Sequence, residues 1–578
     1  MRKGLRFSPR HPVLHPSLSM GRSRFVLFLL CAGFFVMGAR ALHLQVLSNE
    51  FLQKQGESRY ARTLTLPASR GKITDRNGSV LASSVPARAI WAIPEDVNAT
   101  PEQQRSLAKL LAMPLSDLQR RLSHEDKTFV YLKRQVSVEV AEQVAGLGLS
   151  GIHQLPETLR YYPEGDVMAH IVGFTNIEGK GQEGIELAFN SQLSGREGSR
   201  RVIRDRLGRV IEDVGVINQP ANGHDLSLSI DTRIQHLVYT ALHEAMTRHK
   251  AKGAAAVVVD IRTGELLALA NLPSYNPNDR SSLTGATLRN RALTDTFEPG
   301  STIKPFPVAL ALDLGRIKPA TAFDTGNGRM TFYGRTISDT RGYGRIDVGT
   351  IVQKSSNIGM ALISQGLDSK EMWDKYTELG LGKVPKLGFP GAVAGRLRPW
   401  DKWRPIEKAT MAYGYGLSVS LIQLAQAYTV FARDGKLIPL TLLKTEGVQT
   451  GPQIFTPATS RLMRQMLEAA AGPGGTASQA QVLGYRIAGK TGTARKIVNG
   501  AYVPKYVASF AGFAPVSNPR VIVAVMVDEP SAGSIYGGAV AGPVFSNVMG
   551  GTLRMLNVEP DAPFKSLVIP QNPLQESL

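Results

Sequence analysis

The chain has 578 residues, of which 43% are hydrophobic and 20% charged, so it is long enough for two globular domains and too apolar for extensive disorder. The formal net charge of +20 does not indicate nucleic-acid binding, because the basic residues are spread along the chain. The densest basic run, 196–209, is interrupted by acidic residues and has no aromatic residue to stack on a base. The only cysteine, Cys31, excludes an intramolecular disulfide and a cysteine-based metal site.

The N-terminal segment is predicted to be an uncleaved membrane anchor. Residues 1–24 carry only basic charges, no acidic residue precedes Glu50, and the following run to residue 47 is largely apolar. The positive-inside rule places 1–24 in the cytoplasm, 25–47 in the membrane and the rest outside the cytoplasm. About 23 helical residues span roughly 35 Å, enough for a bilayer if Arg40 reaches the interface or a partner helix. A cleaved signal peptide is the alternative, because Ala39-Arg40-Ala41 has the form of a cleavage site.

Residues 48–222 are predicted to form a mixed α/β domain without a catalytic site. The segment 63–66 alternates like a strand, and Asn77-Gly78 is a turn signal between two apolar segments. Thr100, followed by Pro101 and Gln103, has the sequence of a helix N-cap with a capping box.

Residues 223–560 are predicted to form a second α/β domain, and 561–578 a flexible tail. Residues 254–260 and 265–270 flank a turn and predict a hairpin. Three further strands are predicted at 485–488, 506–513 and 521–527.

Three short motifs occur in fixed order in this second domain. They are Ser301-Thr302-Ile303-Lys304, Ser355-Ser356-Asn357 and Lys490-Thr491-Gly492-Thr493. Each is weak alone, since the first pattern also occurs by chance at Ser69 and Ser106. Together and in this order, they are typical of β-lactamases and penicillin-binding proteins.

The chemistry of serine acylation explains why these residue types belong together. Ser301 and Lys304 are expected on one face at the start of a helix, where a neutral lysine amine could deprotonate the hydroxyl. Burial and a second cation, Lys490, would favour the neutral form of Lys304 by lowering its pKa. The scheme needs no cofactor and no metal ion.

The remaining motif residues have complementary roles in this scheme. Gly492 would let the strand approach the substrate, and the backbone N–H groups of Ser301 and Thr493 would form an oxyanion hole. The Ser355 hydroxyl would relay a proton to the leaving amine, and Asn357 would hydrogen-bond the peptide.

The chain resembles the class B penicillin-binding proteins, in particular their division transpeptidases, over nearly its whole length after the anchor. The supporting stretches are 70–78, 181–189, 413–417 and 488–496. The resemblance implies a non-catalytic pedestal (dimerisation-type) domain followed by a penicillin-binding, β-lactamase-like transpeptidase domain. The expected fold class is therefore α/β (α+β), with an antiparallel sheet flanked by helices.

The resemblance also implies the role of each motif residue. Ser301 would be the acylated nucleophile, Lys304 its base, and Ser355 with Asn357 the second motif. Donor binding would fall to the third motif, Lys490, Thr491, Gly492 and Thr493. The expected substrates are peptidoglycan stem peptides, a D-Ala-D-Ala donor and an amine acceptor, and β-lactams would acylate the same serine.

The family further implies location and partners. These are the division septum at the bacterial inner membrane, a periplasmic catalytic domain, an FtsW-type glycosyltransferase and other division proteins. The alternatives that share the motifs are an elongation-type transpeptidase, a D,D-carboxypeptidase and a β-lactam-hydrolysing relative. A bifunctional glycosyltransferase is disfavoured, because no acidic cluster of that kind lies between anchor and motifs.

Overall fold

The fold is seen in a computed structural model that describes residues 19–44, 61–66, 68–123, 127–204, 210–279, 281 and 283–562. The α-helices of these residues are α1 Met20–Leu42, α2 Pro101–Leu110, α3 Leu115–Leu122, α4 Val138–Gly146, α5 Ala169–Val172, α6 Gly184–Ala188, α7 Asn190–Ser194, α8 Thr232–His249, α9 Arg291–Thr294, α10 Pro305–Asp313, α11 Val348–Lys354, α12 Asn357–Gln365, α13 Ser369–Glu378, α14 Pro405–Met411, α15 Leu421–Ala432, α16 Pro457–Ala471 and α17 Gly537–Met555. The strands are β1 Ala61–Leu66, β2 Ile73–Thr74, β3 Val80–Ala92, β4 Val130–Ser137, β5 Ile152–Tyr161, β6 Gly198–Arg204, β7 Val210–Asn218, β8 Leu226–Ser227, β9 Gly253–Asp260, β10 Leu266–Leu272, β11 Ala322–Asp324, β12 Arg329–Phe332, β13 Arg335–Ser338, β14 Arg345–Asp347, β15 Ala488–Val498, β16 Ala501–Ala514 and β17 Val521–Asp528.

Helix α1 has the properties of a single membrane span. It has 23 residues and a mean hydropathy of 2.2, and none of its residues is buried in the protein. At 1.5 Å per residue it extends over roughly 35 Å, the thickness that a bilayer requires. It begins five residues before the predicted span, and residues 45–47 of that span lie outside the described residues.

Contacts divide the chain into two units, which we describe separately. The smaller unit comprises Met1–Ala68 and Arg196–Ala221. Within it, β1, β6 and β7 form an antiparallel sheet in which Leu64 pairs with Arg200, and β1 confirms the strand predicted at 63–66. The larger unit comprises Ser69–Gly195 and Asn222–Leu578. The boundaries at 48–222 and 223–560 stay a prediction, as does the mobility of the tail, whose residues from 563 onward lie outside the described residues.

The first part of the larger unit, residues 69–195, contains a two-layer α/β module. Strands β4 and β5 flank β3, and helices α2, α3 and α4 cover one face of this sheet through a small apolar core. Helix α2 begins as predicted: Thr100 caps it, and Gln103 completes the capping box. Strands β2 and β3 pair across the Asn77-Gly78 turn, so the predicted turn is also confirmed.

The second part of the larger unit, from Asn222 onward, is built on a five-stranded antiparallel sheet in the order β10-β9-β17-β16-β15. Both of its faces are buried: Ala254, Ala256 and Val258 face α8 and α17, while Val257 and Val259 belong to the core on the opposite side. Burial on both faces explains the continuous apolar runs of the central strands. The predicted antiparallel sheet flanked by helices is confirmed, but the strand expected at 485–488 was misplaced, since β15 begins at Ala488.

A buried carboxylate connects the stretches 70–78 and 181–189. Glu186 is 0% exposed and forms ion pairs with Arg70 and Arg160, which approach it at 2.5 Å and 2.7 Å. The same stretch 70–78 contacts the second part of the larger unit, because Asp75 Oδ2 accepts hydrogen bonds from Thr232 N and Oγ1 at the start of α8. The stretch 70–78 therefore packs the two parts of the larger unit together.

We predict that Glu186→Ala destabilises the protein by about 3–5 kcal/mol, because it leaves two buried guanidinium groups without their counter-charge. The measurement is urea unfolding followed by circular dichroism. Glu178→Ala is the control, because Glu178 pairs with Arg134 at a side-chain exposure of 55%. Its effect should stay below about 1 kcal/mol, and equal effects of the two substitutions would contradict the prediction.

Candidate active site

The turn that carries Ser301 packs against the outermost strand of the catalytic sheet. Among the described residues, β15 pairs in the sheet only with β16, so it is an edge strand, the position at which a ligand strand can add. The turn approaches β15 at Gly492, where an added Cβ would lie 2.8 Å from the Pro299 oxygen and 2.5 Å from Ser509 Oγ. Only glycine permits this approach.

Ser301 lies in a 3-10 turn, Gly300–Ile303, and not in the first turn of an α-helix as predicted. An α-helix containing Ser301 would need an N–H at residue 305 to reach the Ser301 oxygen, and proline has none. The chain therefore forms the tighter turn, and α10 begins only at Pro305. Ser301 is 5% exposed.

Two hydrogen bonds hold the nucleophile turn from outside. Gly300 N donates to Gly414 O at 3.1 Å, and the buried Tyr428 hydroxyl donates to Thr302 O at 2.8 Å. Gly414 adopts a φ of +97°, and a Cβ there would come within 2.0 Å of Gly300 O. The glycine-rich stretch 413–417 therefore supports the nucleophile turn directly.

The side chain of Lys304 connects the first motif to the second. It is 0% exposed, and its Nζ donates to Ser355 O at 2.6 Å, to Asn357 Oδ1 at 2.7 Å and to Ser355 Oγ at 3.1 Å. Residues some fifty positions apart in sequence thus meet at one nitrogen. This brings the predicted base together with Ser355 and Asn357, the two residues of the second motif that the acylation scheme uses.

The second motif occupies the junction between α11 and α12. Ser355 ends α11 in the left-handed region, with a φ of 61°, and Ser356 caps α12. Asp339 fixes this junction: its Oδ1 accepts from the backbone N–H groups of Asn357 and Ile358, and its Oδ2 from Ser356 Oγ. Asp339 was missed in the sequence, because a lone aspartate far from the motif gives no signal.

The third motif lies on β15, where successive side chains alternate between the faces of the sheet. Lys490 is 0% exposed, and its Nζ lies 3.4 Å from Thr491 O and Thr491 Oγ1. Thr491 Oγ1 lies 2.8 Å from Thr476 Oγ1, and Gly537 N donates to Thr493 Oγ1 at 2.9 Å. The Thr491 hydroxyl is thus held by Thr476, and the Thr493 hydroxyl by the first residue of α17.

A cavity of about 470 Å³ lies next to the motifs. Asn357, Tyr413, Tyr415, Arg495 and Tyr502 are among its lining residues. The stretch 413–416 therefore lines the cleft, whereas Arg495 and Tyr502 carried no sequence signal of a site. Among the described residues, no group of three or more His, Cys, Asp or Glu side chains is arranged to hold a metal ion.

Comparisons with known proteins agree with this arrangement. A family model described as "Penicillin-binding Protein dimerisation domain" matches residues 65–228, and one described as "Penicillin binding protein transpeptidase domain" matches residues 254–550.

Similar proteins cover almost the whole chain. The probable peptidoglycan D,D-transpeptidase PenA of Neisseria gonorrhoeae is 45% identical and covers 96% of each chain. The peptidoglycan D,D-transpeptidase FtsI of Escherichia coli K12 is 43% identical over 92% of this chain and 91% of its own. The solved transpeptidase domain of Burkholderia pseudomallei penicillin-binding protein 3 is 53% identical, with a TM-score of 0.54, and covers 58% of this chain and 98% of that one. On this evidence, the chain belongs to the class B penicillin-binding proteins, in the group that contains FtsI and PenA.

Proposed function

We propose that the protein is a peptidoglycan D,D-transpeptidase that crosslinks stem peptides during cell division through an acyl-enzyme on Ser301. The observation that carries this proposal is the position of Lys304 Nζ, one turn after Ser301 and within hydrogen-bond distance of Ser355 Oγ and Asn357 Oδ1. The names of the relatives support the same activity, and FtsI as a relative favours division over elongation.

In the acylation step, the neutral amine of Lys304 accepts the proton of the Ser301 hydroxyl. A neutral amine donates only two hydrogen bonds, so it keeps two of its three oxygen contacts and directs its lone pair at Ser301. The Ser301 oxygen attacks the carbonyl carbon of the D-Ala-D-Ala bond. The C–N bond then breaks, and the D-Ala amine leaves with a proton delivered through Ser355.

Strand β15 supplies the other half of the site. The donor peptide lies along its open edge, and its terminal carboxylate is bound by Lys490, Thr491 and Thr493. The developing oxyanion accepts hydrogen bonds from the backbone N–H groups of Ser301 and Thr493. A Cβ added at Gly300 would lie 3.3 Å from Thr493 O, so the turn and the strand are close together, which supports this pairing.

In the second step, an amine of a neighbouring stem attacks the acyl-enzyme carbonyl. Its proton passes through Ser355 and Lys304 to the Ser301 oxygen, which restores the free serine. A β-lactam, whose strained amide takes the place of the D-Ala-D-Ala bond, acylates the same oxygen.

The anchor places this chemistry at the membrane. We infer that residues before α1 face the cytoplasm and that the catalytic part lies in the periplasm, because the flanking charge before the helix is basic. At the septum, the partners would be an FtsW-type glycosyltransferase and other division proteins. The domain roles follow: residues 48–222 as the pedestal and 223–560 as the transpeptidase.

We predict that Ser301→Ala abolishes covalent labelling by a fluorescent penicillin, a loss of at least about 1,000-fold, because the acylated oxygen is removed. Gel fluorescence measures labelling, and circular dichroism shows that the variant is folded. Ser106→Ala, which alters a chance copy of the motif, is the control and should label normally. Label that persists on the Ser301 variant would disprove the assignment.

We predict different results for arginine at the two motif lysines. Lys304→Arg should slow acylation by at least about 100-fold, because arginine cannot act as a base at working pH. Lys490→Arg keeps the charge that attracts the donor carboxylate and should lose roughly tenfold, about 1.4 kcal/mol of transition-state stabilisation. Stopped-flow acylation rates measure both, and equal rates in the two variants would remove the support for Lys304 as base.

We predict that replacing residues 1–47 with a cleavable export signal gives a protein that binds penicillin normally but does not support septation. The three motifs lie outside the anchor, whereas membrane attachment raises the effective concentration of the enzyme near its partners. The measurements are penicillin labelling and complementation in cells depleted of the full-length protein. Complementation at normal expression would show that the anchor serves only for export.

A further inference from the structure

Glu298 is a half-buried acidic residue three positions before the nucleophile, and the mechanism above does not use it. Its Oε1 accepts a hydrogen bond from Gly416 N at 2.7 Å and another from the Tyr502 hydroxyl at 3.2 Å. Glu298 therefore contacts two segments that line the cleft, the loop after Tyr413 and the β15–β16 hairpin.

The second carboxylate oxygen has no such partner. Glu298 Oε2 is shielded from solvent and has no hydrogen-bond partner among the described residues. Burial raises the pKa of this carboxyl above its usual value, and the two hydrogen bonds oppose that rise only in part. Ionised Glu298 therefore destabilises the folded chain, while its negative charge strengthens the hydrogen bonds from Gly416 and Tyr502.

The position of Glu298 explains what those two hydrogen bonds can do. Glu298 lines a cavity of about 440 Å³, whereas Gly416 and Tyr502 line the cleft cavity of about 470 Å³, so the carboxylate lies at the boundary between the two. The loop that it holds also accepts the hydrogen bond from Gly300 N through Gly414 O. The rings of Tyr415 and Tyr502 pack edge to face with their centroids 5.8 Å apart, which is a second contact between the loop and the hairpin.

We propose that Glu298, in its carboxylate form, is a positioning residue for the acylation of Ser301: it ties the Gly416 loop and the Tyr502 hairpin to the turn that carries the nucleophile. This inference rests on the proposed function of Ser301. When the carboxylate is protonated, its acceptor strength falls, the loop and hairpin are held less firmly, and the cleft is less well ordered for attack.

Other titratable and charged groups line the two cavities beside Glu298. They include Lys252, Arg289, Lys496 and Asp528 in the first cavity and Arg398 and Glu407 in the second. The segment of Glu298 itself carries Asp295 and Arg291, the hairpin carries Tyr502 and Arg495, and the loop carries Tyr413 and Tyr415. Asp295 is ion-paired with Arg289 and Arg291. Burial raises the pKa of Tyr413 and Tyr502, so these phenols stay protonated at neutral pH. Glu298, whose pKa burial raises, is therefore the group to which we assign a pH dependence above the ordinary glutamate range.

The sign of the pH effect follows from the raised pKa. At low pH, Glu298 is neutral and resembles a glutamine, so wild type and Glu298→Gln should acylate Ser301 at similar rates. The pKa of Glu298 lies above about 4.5, the ordinary glutamate value. As the pH rises through this raised pKa, the wild type gains a carboxylate and the variant does not. The wild-type to variant rate ratio should therefore rise with pH and level off at about five- to tenfold, the difference between charged and neutral acceptors.

Thermal stability should change in the opposite direction. A buried carboxyl with a raised pKa binds more protons folded than unfolded, so its contribution to stability falls as the pH rises through that pKa. Glu298→Gln should thus melt at the same temperature as wild type or higher at pH 7. A slower enzyme of undiminished stability is the result that a merely structural glutamate would not give.

The experiment measures acylation rates of the full-length protein by a fluorescent penicillin from pH 4.5 to 8.5, together with melting temperatures. Glu183→Gln is the matched control: Glu183 is a half-buried glutamate in residues 69–195 whose pKa is also raised by burial. This control should leave the acylation rate unchanged at every pH. An unlabelled wild type would refute the proposed function, whereas a labelled wild type with a flat rate ratio would refute the role of Glu298 alone.

Tyr502→Phe provides a second test that depends less on folding, because Tyr502 is 50% exposed. It removes one of the two donors to Oε1 and should slow acylation about two- to fivefold at pH 7.5, consistent with one hydrogen bond to a charged group. Combined with Glu298→Gln, it should add little further loss, since both changes remove the same interaction. Full additivity of the two effects, or an equal loss at all pH values, would overturn the proposal.

Discussion

The arrangement of the active site depends on the buried amine of Lys304. Lys304 is 0% exposed, so the oxygens that the fold provides take the place of bulk water, and a buried ionisable group without such partners is strongly unfavourable. Those oxygens come from Ser355 and Asn357, whose positions are set by the left-handed turn at residue 355 and by the cap that Asp339 supplies to α12. A distortion at this junction therefore displaces the oxygens that surround Lys304, the predicted base.

Close backbone approach is the second constraint on the site. The nucleophile turn meets β15 at Gly492 and the supporting loop at Gly414, and at both positions a Cβ would collide with backbone oxygen atoms. Because these contacts join backbone to backbone, they fix the turn more rigidly than flexible side chains could. Rigid placement of Ser301 beside an open strand edge suits a reaction in which the oxyanion donors are themselves backbone groups.

The sequence predicted the residue types of the site better than the backbone conformation around them. Ser301, Lys304, Ser355, Asn357 and Lys490 were selected because the acylation scheme requires those residue types. The structure joins Lys304 to Ser355 and Asn357 and packs the Ser301 turn against the strand that carries Lys490, while their roles in catalysis stay a prediction. The helix expected at Ser301 proved to be a 3-10 turn. The sequence already contained the reason, because Pro305 has no N–H to donate to the Ser301 oxygen. Asp339 and Glu298 could not be recognised, since their importance depends on contacts with residues distant in sequence.

Glu186, Lys304 and Glu298 differ in how completely their charges are paired, and the difference parallels the role of each. Glu186 has a guanidinium partner for each carboxylate oxygen, so its ionised form is secured and it serves the fold. Lys304 is surrounded by hydroxyl, carbonyl and amide oxygens, contacts that a neutral amine can partly keep, and this fits the role of base proposed for it. Glu298 is intermediate, with one oxygen bonded and the other without a partner among the described residues. Burial raises the pKa of Glu298, and its hydrogen bonds to two cleft segments allow its ionisation to affect the geometry of the site.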